Sequence, residues 1–518
     1  MGWSKNKSSV FIVERKLYLT DSDYAYLEKM LYIANRMYNT AVKHYKMMLN
    51  QFHSDALFLS YFESFQKLKE KEKTIENRKE LAFIRKEIKE QVNDIYALAK
   101  QYELTEGNIY KFLGELRNRS YKNSINSAIL QKLGSELSKS VNKCIVSTTR
   151  EIHYRKFGET NSLCNKHDGS GFKYDAISDI LYFGKGLKRK ARLKPIRKND
   201  KYLREAMLNK VKFCRVVRKP FGKKYRYFVQ FTMEGKPPEK EKIIQNEKVG
   251  LDLGVSTVAF CNNKSADFII LADGIEKYDK LLKKYSRQAE RRLRLNNSNC
   301  FNANGTAIKG KRPTVRTKGY KTAMMKLKTI YRKRSEFILL SHRTLANQII
   351  SVGNVIITEP MDYKALHKRV KETQRSDKPS TVKGKTVYKY KRKKRFGSSI
   401  SRRAPSKFKN ILSDKAIQSG GELIAVNSTK YKASQYNHIT QEATKSLLGD
   451  RVKEIDNHLV QRDLYSSFLL YNMADASNID FDKCHTNFNT FLILQQNVVE
   501  KIKVQGDSTK NFGIKHFI

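Results

Sequence analysis

The sequence is short of acid. Its 518 residues carry 51 Asp and Glu against 103 Lys and Arg, a formal net charge of +52. An excess of that size points toward polyanions. An operator-binding protein contacts roughly 6–10 phosphates, whereas this charge could line a channel holding structured RNA or an RNA–DNA hybrid. Paired cysteines are also missing. The six cysteines stand singly at 144, 164, 214, 261, 300 and 484, which leaves no disulfide framework and no cysteine-rich zinc ribbon. Long apolar runs are lacking too. The opening MGWSKNKSSVFIVERKLYL has no apolar stretch of about 7–15 residues as in a signal peptide, and no later run approaches the roughly 20 residues that span a bilayer. A soluble, cytoplasmic protein with no membrane partner is expected. MGWSKNKS meets the loose N-myristoylation pattern, a match that so short a motif finds by chance.

What is present divides into regions of different character. With 40% hydrophobic residues the chain can bury real cores, and its length suggests about three domains. From Asp21 to Ser140 apolar residues recur at three- and four-residue spacing, as in DYAYLEKMLYIANRMYNTAVKHYKMML, which predicts helices. The charged segment FQKLKEKEKTIENRKELAFIRKEIKEQ between them predicts an exposed arm or helical hairpin. After about residue 150, SGFKYDAISDILYFG, KVKFCRVVRK and KKYRYFVQFTMEGK alternate as strands do. Dense cations in GLKRKARLKPIRKNDK suit phosphate contacts. GKPPEKEKIIQNEK reads as a linker. A buried sheet then opens with KVGLDLGV and continues in SVGNVIITEP, with basic helices over much of Glu276–Leu345. Lys378 to Phe396 reads as a mobile basic loop, and the final helix as starting near Asp463.

Three carboxylates stand roughly a hundred residues apart in this last region: Asp252 in KVGLDLGVSTVAF, Glu359 in NVIITEPMDY and Asp463 in VQRDLYSSFLLYN. Mg²⁺ takes oxygen ligands in near-octahedral geometry, and a two-ion site with metals about 3.5–4 Å apart needs acids converging from several elements. A strand-borne Asp, a strand-end Glu and a helix-start Asp are what an RNase H-like fold would use. DLG alone is weak, because actin-like ATPases also place Asp and Gly at a first β-turn to hold Mg²⁺ and phosphate.

At these residues the chain resembles the RuvC domain of the transposon-encoded TnpB nucleases and the compact type V CRISPR effectors. GLDLGVSTVAF is similar to the first RuvC motif and IITEPMDY to the second, with Pro360 where an acid or Asn is common. QRDLYSSFLLYN is similar to the third, usually DRDxNAAxNI; Gln461 replaces its first acid, Tyr465 its Asn, and Ser466 and Ser467 its small alanines. NRMYNTAV at Asn35–Val42 resembles the helical region of TnpB proteins, and Tyr154 to Phe157 lies where their RNA-facing β domain begins. VNSTKYKASQYNH resembles the segment before their zinc ribbon, retaining Ser434 and Gln435. Tyr436, Asn437 and His438 stand where the first CxxC would begin, so no cysteine-ligated zinc is expected.

The resemblance implies an α+β multidomain, bilobed fold with a helical recognition lobe, a small β-barrel (wedge) domain and an RNase H-like (RuvC) α/β nuclease domain. Residues 1–20 would supply the first strand of the wedge domain, 21–140 the helical domain and 141–245 the rest of the wedge. Residues 246–429 would form the nuclease domain with its first two motifs, 430–460 a target-nucleic-acid-binding insert, 461–475 the third motif and 476–518 a C-terminal extension. It implies an RNA-guided DNA endonuclease that binds guide RNA and target DNA, as a monomer or homodimer per RNA. Two Mg²⁺ ions, or Mn²⁺ in their place, would be held by Asp252, Glu359 and Asp463. Nucleic-acid contacts are expected at Arg36, Tyr38, Asn39, Lys188, Arg189, Lys190, Arg192, Arg402, Arg403 and Gln435, with core packing the alternative for Tyr38. The competing readings are an RNA-guided regulator that has lost cutting and, against the charge, an actin-like ATPase.

Overall fold

The computed structural model describes residues 9–121, 124–156, 158–166, 170–238, 247–367, 375–382, 385–390, 396–427, 433–444, 450–505 and 512–517. Parts of several sequence expectations lie outside these residues: the myristoylation match at 1–8, Phe157, the linker over 239–246, and 430–432 and 445–449 of the expected insert. The chain divides into two compact units, Met1–Pro238 and Glu239–Ile518.

In the first unit, β1 (Val10–Tyr18) leads into α1 (Asp21–His53), α2 (Ala56–Thr74), α3 (Arg78–Gln101), α4 (Glu106–Ser120) and α5 (Ser127–Ile145). Thr20 caps α1 by accepting from the Asp23 amide, and Asp21 and Asp23 in the first turn favour the helix dipole. Leu27, Met30, Leu31, Ala34, Met37, Tyr38, Ala41, Val42, Tyr45, Leu49 and Phe52 form its buried stripe, the i, i+3, i+4 spacing of a helix packed on one side. The charged segment forms the α2–α3 hairpin, in which Phe58 is the one fully buried side chain of α2. Strands β2 (Ser162–Cys164), β3 (Phe172–Asp175), β4 (Ile180–Phe183) and β5 (Arg189–Leu193) follow, then the short α6 (Lys201–Met207), β6 (Val211–Phe221) and β7 (Lys224–Glu234). They join β1 in a seven-stranded antiparallel sheet of order β2-β6-β7-β1-β5-β4-β3. β1 is shared along its length: Val10–Lys16 pair with β7, and Leu17 and Tyr18 with β5. β3 returns against β6, so the sheet nearly closes. One apolar core joins the sheet to α1, α4 and α5.

The second unit is built on a five-stranded sheet of order β10-β9-β8-β11-β14. β8 (Lys248–Leu253), β9 (Thr257–Cys261) and β10 (Ala266–Ile270) form an antiparallel meander. Two long helices, α7 (Glu276–Leu295) and α8 (Lys318–Val352), pack on each other before β11 (Val355–Thr358), which runs parallel to β8. The one-turn α9 (Tyr363–Leu366) follows, then β12 (Arg375–Val382) and β13 (Lys385–Tyr390). These two strands pair antiparallel within the stretch expected to be a mobile loop. The many lysines mask the alternation of a hairpin. α10 (Gly397–Arg403) and α11 (Pro405–Gln418) lead to β14 (Glu422–Ala425), parallel to β11. β15 (Val452–Ile455) and β16 (His458–Gln461) make a hairpin running into α12 (Arg462–Tyr471). The helix at Asp463 is not the last, for α13 (Phe481–Gln505) follows it.

The two faces of this sheet are covered differently. Val249, Leu251 and Leu253 of β8 and Ile356 of β11 face Leu345, Ile349, Phe408 and Leu412 of α8 and α11. Ile357 lies on the other side with Leu464, Phe468 and Leu469 of α12 and Phe491 and Val499 of α13. Because strand side chains alternate, Gly250 and Asp252 belong to the α12 side. Glu359, two residues beyond Ile357, continues the same side. Among the described residues no helix is long and apolar enough to cross a membrane.

Candidate active site

Each of the three acids is brought to this side by a different local device. Asp252 sits in the central strand, opposite Ala259 of β9. The last rung between β8 and β11 is Leu251 to Thr358, so Asp252 and Glu359 are the first residues beyond it on their strands. Asp463 stands in the first turn of α12, whose N-cap Gln461 accepts from the Leu464 amide at 2.7 Å. Gln461 is held in turn by its own amide, which donates to Gln495 Oε1 of α13 at 2.7 Å. α12 can lie directly on β8 because Gly250 has no side chain: a Cβ there would be 1.9 Å from the Ser467 carbonyl oxygen.

The carboxylates sense one another. Asp252 is pushed well above the usual carboxylate range, first by burial, then by the negative charges of Asp463 and Glu359. Ser466 and Arg462 act in the opposite sense. The Ser466 hydroxyl, fully buried beside Asp252, favours the ionised carboxylate. Two of the acids are engaged by other groups. Glu359 Oε1 accepts from the Ala433 amide at 2.7 Å. Asp463 Oδ1 accepts from Arg462 Nε and Nη2, each at 3.1 Å, and its Oδ2 lies 3.6 Å from Arg451. The pKa of Lys453, half-buried on β15, is pushed down to about 8 by burial and by the Arg462 charge.

A divalent cation fits the chemistry of this donor set. Three carboxylates, all hard oxygen ligands, lie near enough for Glu359 and Asp463 to act on the charge of Asp252, with the Ser466 hydroxyl beside it. As they stand, no group of three or more His, Cys, Asp or Glu among the described residues is closed to metal-ligating geometry.

Gln461 and Tyr465, which differ from the motif that QRDLYSSFLLYN resembles, have defined work. Gln461 caps α12, and its Nε2 is buried without a partner. The Tyr465 hydroxyl accepts from the His438 amide at 3.1 Å and lies 2.7 Å from His438 Nδ1. His438 is completely buried among Tyr465, Phe468, His485 and Phe488, with Nε2 unpartnered. Thus the position where a first CxxC would begin is anchored to the helix that carries Asp463.

No sequence signal marks Arg451, Ala433 or Tyr363 as neighbours of the site. Gly250 does carry one, since glycine inside a buried strand marks close backbone approach.

The expected nucleic-acid contacts fall into two groups. Lys188, Lys190 and Arg192 are exposed on and beside β5, and Arg36 is exposed on α1 with Nη1 donating to the Tyr32 hydroxyl at 3.0 Å. The others make contacts within the fold. Asn39 accepts from the Arg155 amide and donates to its carbonyl, both at 2.8 Å. Tyr38 is buried, with the Arg155 guanidinium 3.7 Å from its ring centre. Arg189 pairs with Asp23 at 2.8 Å and lies over Tyr26. Arg402 pairs with Asp279 at 3.1 Å, and Arg403 with Glu276 at 2.9 Å and the Leu271 carbonyl. Gln435 is half-buried, and its carbonyl accepts from the Thr444 amide.

No protein-family model matches the sequence, and no curated protein matches it. Solved structures do. A Cas12f1–sgRNA–target DNA complex is similar at 11% identity over 90% of this chain and 99% of that one, with a TM-score of 0.40. A CRISPR-Cas12f ternary complex is similar at 13% identity over 88% and 85%, with a TM-score of 0.23. For a Cas12i–crRNA–dsDNA complex the identity is 8% over 91% and 65%, with a TM-score of 0.24. These are type V CRISPR effectors, the group that the three acidic motifs resemble.

Proposed function

We propose that the chain is an RNA-guided DNA endonuclease with one hydrolytic centre made of Asp252, Glu359 and Asp463 on an RNase H-like (RuvC) domain. The observation that carries this reading is convergence. Three acids roughly a hundred residues apart lie on one side of one sheet, near enough that the charges of Asp463 and Glu359 add to burial in raising the Asp252 carboxylate. The resemblance of their flanking motifs to RuvC and the net charge of +52 support the same reading.

When bound, two Mg²⁺ ions, or Mn²⁺ in their place, would supply activation of water and stabilisation of the leaving 3′ oxygen. The chain's own residues provide the rest. Asp252, on the central strand and under the charges of both other acids, would be one of the groups that hold the ions. Glu359, held by the Ala433 amide, and Asp463, in the first turn of α12, would hold them with it. Arg462 and Arg451 reach the same place, and their guanidiniums suit phosphate oxygens of the scissile strand. The fully buried Ser466 hydroxyl favours the ionised form of Asp252. Base pairing between a guide RNA and one DNA strand would choose the target, so the exposed cations Lys188, Lys190, Arg192 and Arg36 need only hold phosphates.

Sequencing the RNA that copurifies with the full chain tests the guided part, followed by cleavage of duplex DNA matching that RNA in Mg²⁺ and in chelator. A discrete RNA and divalent-dependent cutting are expected. Recovery of no discrete RNA would count against it. The engagement of Asp463 by two arginines favours one second reading, a guided DNA-binding regulator that does not cut; target binding with no cleavage in Mg²⁺ or Mn²⁺ would select it.

A further inference from the structure

Beyond Leu251 and Thr358 the ladder between β8 and β11 stops, yet the carboxylates of the next residues on each strand must keep a defined separation. One side chain bridges the gap. Tyr363, four residues after Glu359, sends its hydroxyl back to β8, donating to the Leu253 carbonyl at 3.0 Å, with the Gly254 carbonyl at 3.3 Å. Its ring is buried in the core beneath β8. The backbone holding it is fixed by a local cap: Asp362 Oδ1 accepts from the Lys364 and Ala365 amides, each at 2.9 Å. The Tyr363 hydroxyl is raised by burial and then by the Asp252 charge, which places it within reach of that carboxylate's field.

We propose that Tyr363 is a positioning residue: its hydroxyl ties the segment after Glu359 to the end of the strand bearing Asp252 and so sets the spacing at which these two acids hold divalent cations. This rests on the metal-dependent nuclease reading. The geometry assigns Tyr363 no contact with substrate. Its loss leaves two carbonyls at the strand end without their tie, while the ring of a phenylalanine would keep the core filled.

The test uses the full chain and two readouts. Mn²⁺ binding in the absence of nucleic acid, followed by loss of the free-ion electron paramagnetic resonance signal, is compared for the wild type, Tyr363→Phe and Asp362→Ala. Cleavage rate against Mg²⁺ is then measured for the same proteins with copurified guide and target. For Tyr363→Phe the expected result is about five- to tenfold weaker Mn²⁺ binding, the weight of about one net hydrogen bond. The Mg²⁺ half-saturation of cleavage should rise by a similar factor, with a smaller change in the rate at saturating metal and unchanged target binding. Asp362→Ala should move both in the same direction. Metal dependence that superimposes on the wild type, with only a lower thermal midpoint, would overturn the proposal and leave a purely structural tyrosine. Failure of the nuclease reading looks different: the wild type itself would neither take up Mn²⁺ at the acids nor cut.

Discussion

Gly250 of β8 and Ser467 of α12 are in contact through their backbones, so close that a Cβ on Gly250 would lie 1.9 Å from the Ser467 carbonyl oxygen and 2.4 Å from the Tyr471 amide nitrogen. This contact seats the helix bearing Asp463 on the strand bearing Asp252. The site therefore depends on an atom that is missing.

Gly250→Ala should push α12 off β8. Overpacking typically costs about 1–3 kcal/mol, and the opposing atoms here are backbone, which yields least. The expected outcome is a loss near or above the top of that range by denaturant unfolding, with cleavage falling further than stability because Asp463 moves with its helix. A variant as stable and active as the wild type would show that α12 does not set the third acid.

Stability should fall in mild acid through His438. Burial, then the neighbouring His485, hold its pKa down to about 4, against about 6.5 for an unfolded histidine. Between those values the unfolded chain takes up a proton that the folded chain refuses. Any penalty is absent above about pH 6.5, grows as pH falls, and levels off near pH 4 at most on the order of 3 kcal/mol. Urea unfolding at stepped pH should show this, and His438→Gln should flatten the dependence between pH 6.5 and 4. An unchanged slope in the variant would place the proton uptake elsewhere.

Arg451→Ala should make metal binding easier. Arg451 lies 3.6 Å from Asp463 Oδ2 and is itself partly exposed, so the pair is worth less than about 1 kcal/mol after screening. Removing the guanidinium should lower the Mn²⁺ dissociation constant roughly two- to fivefold at constant ionic strength. Weaker binding would mean that Arg451 orients the carboxylate rather than competing for it.

Much of the fold is legible in the sequence because short-range periodicity reports on burial. The apolar stripe of α1 is continuous from Leu27 to Phe52, and the alternation of Val249, Leu251 and Leu253 puts Asp252 on the opposite side of β8. Other features depend on partners distant in the chain. Asn39 reads as a polar helix position open to a ligand, yet Arg155 ties it into the fold, and the same guanidinium covers Tyr38. Arg451 and Ala433 reach the acids only because the segments flanking β14 and β15 return to the sheet. The β12–β13 hairpin is masked by lysines, whose long stems suit either strand or loop. His438 and Tyr465 anchor the segment by a hydrogen bond that no spacing rule announces.

The central claim is that Asp252, Glu359 and Asp463 act together as the cutting centre, and Asp252→Ala tests it most directly. Cleavage of guide-matched DNA in Mg²⁺ should drop by about a thousandfold or more, as for loss of a group essential to the chemical step, while binding of RNA and target stays within about twofold. Cleavage at an undiminished rate by Asp252→Ala would contradict the account.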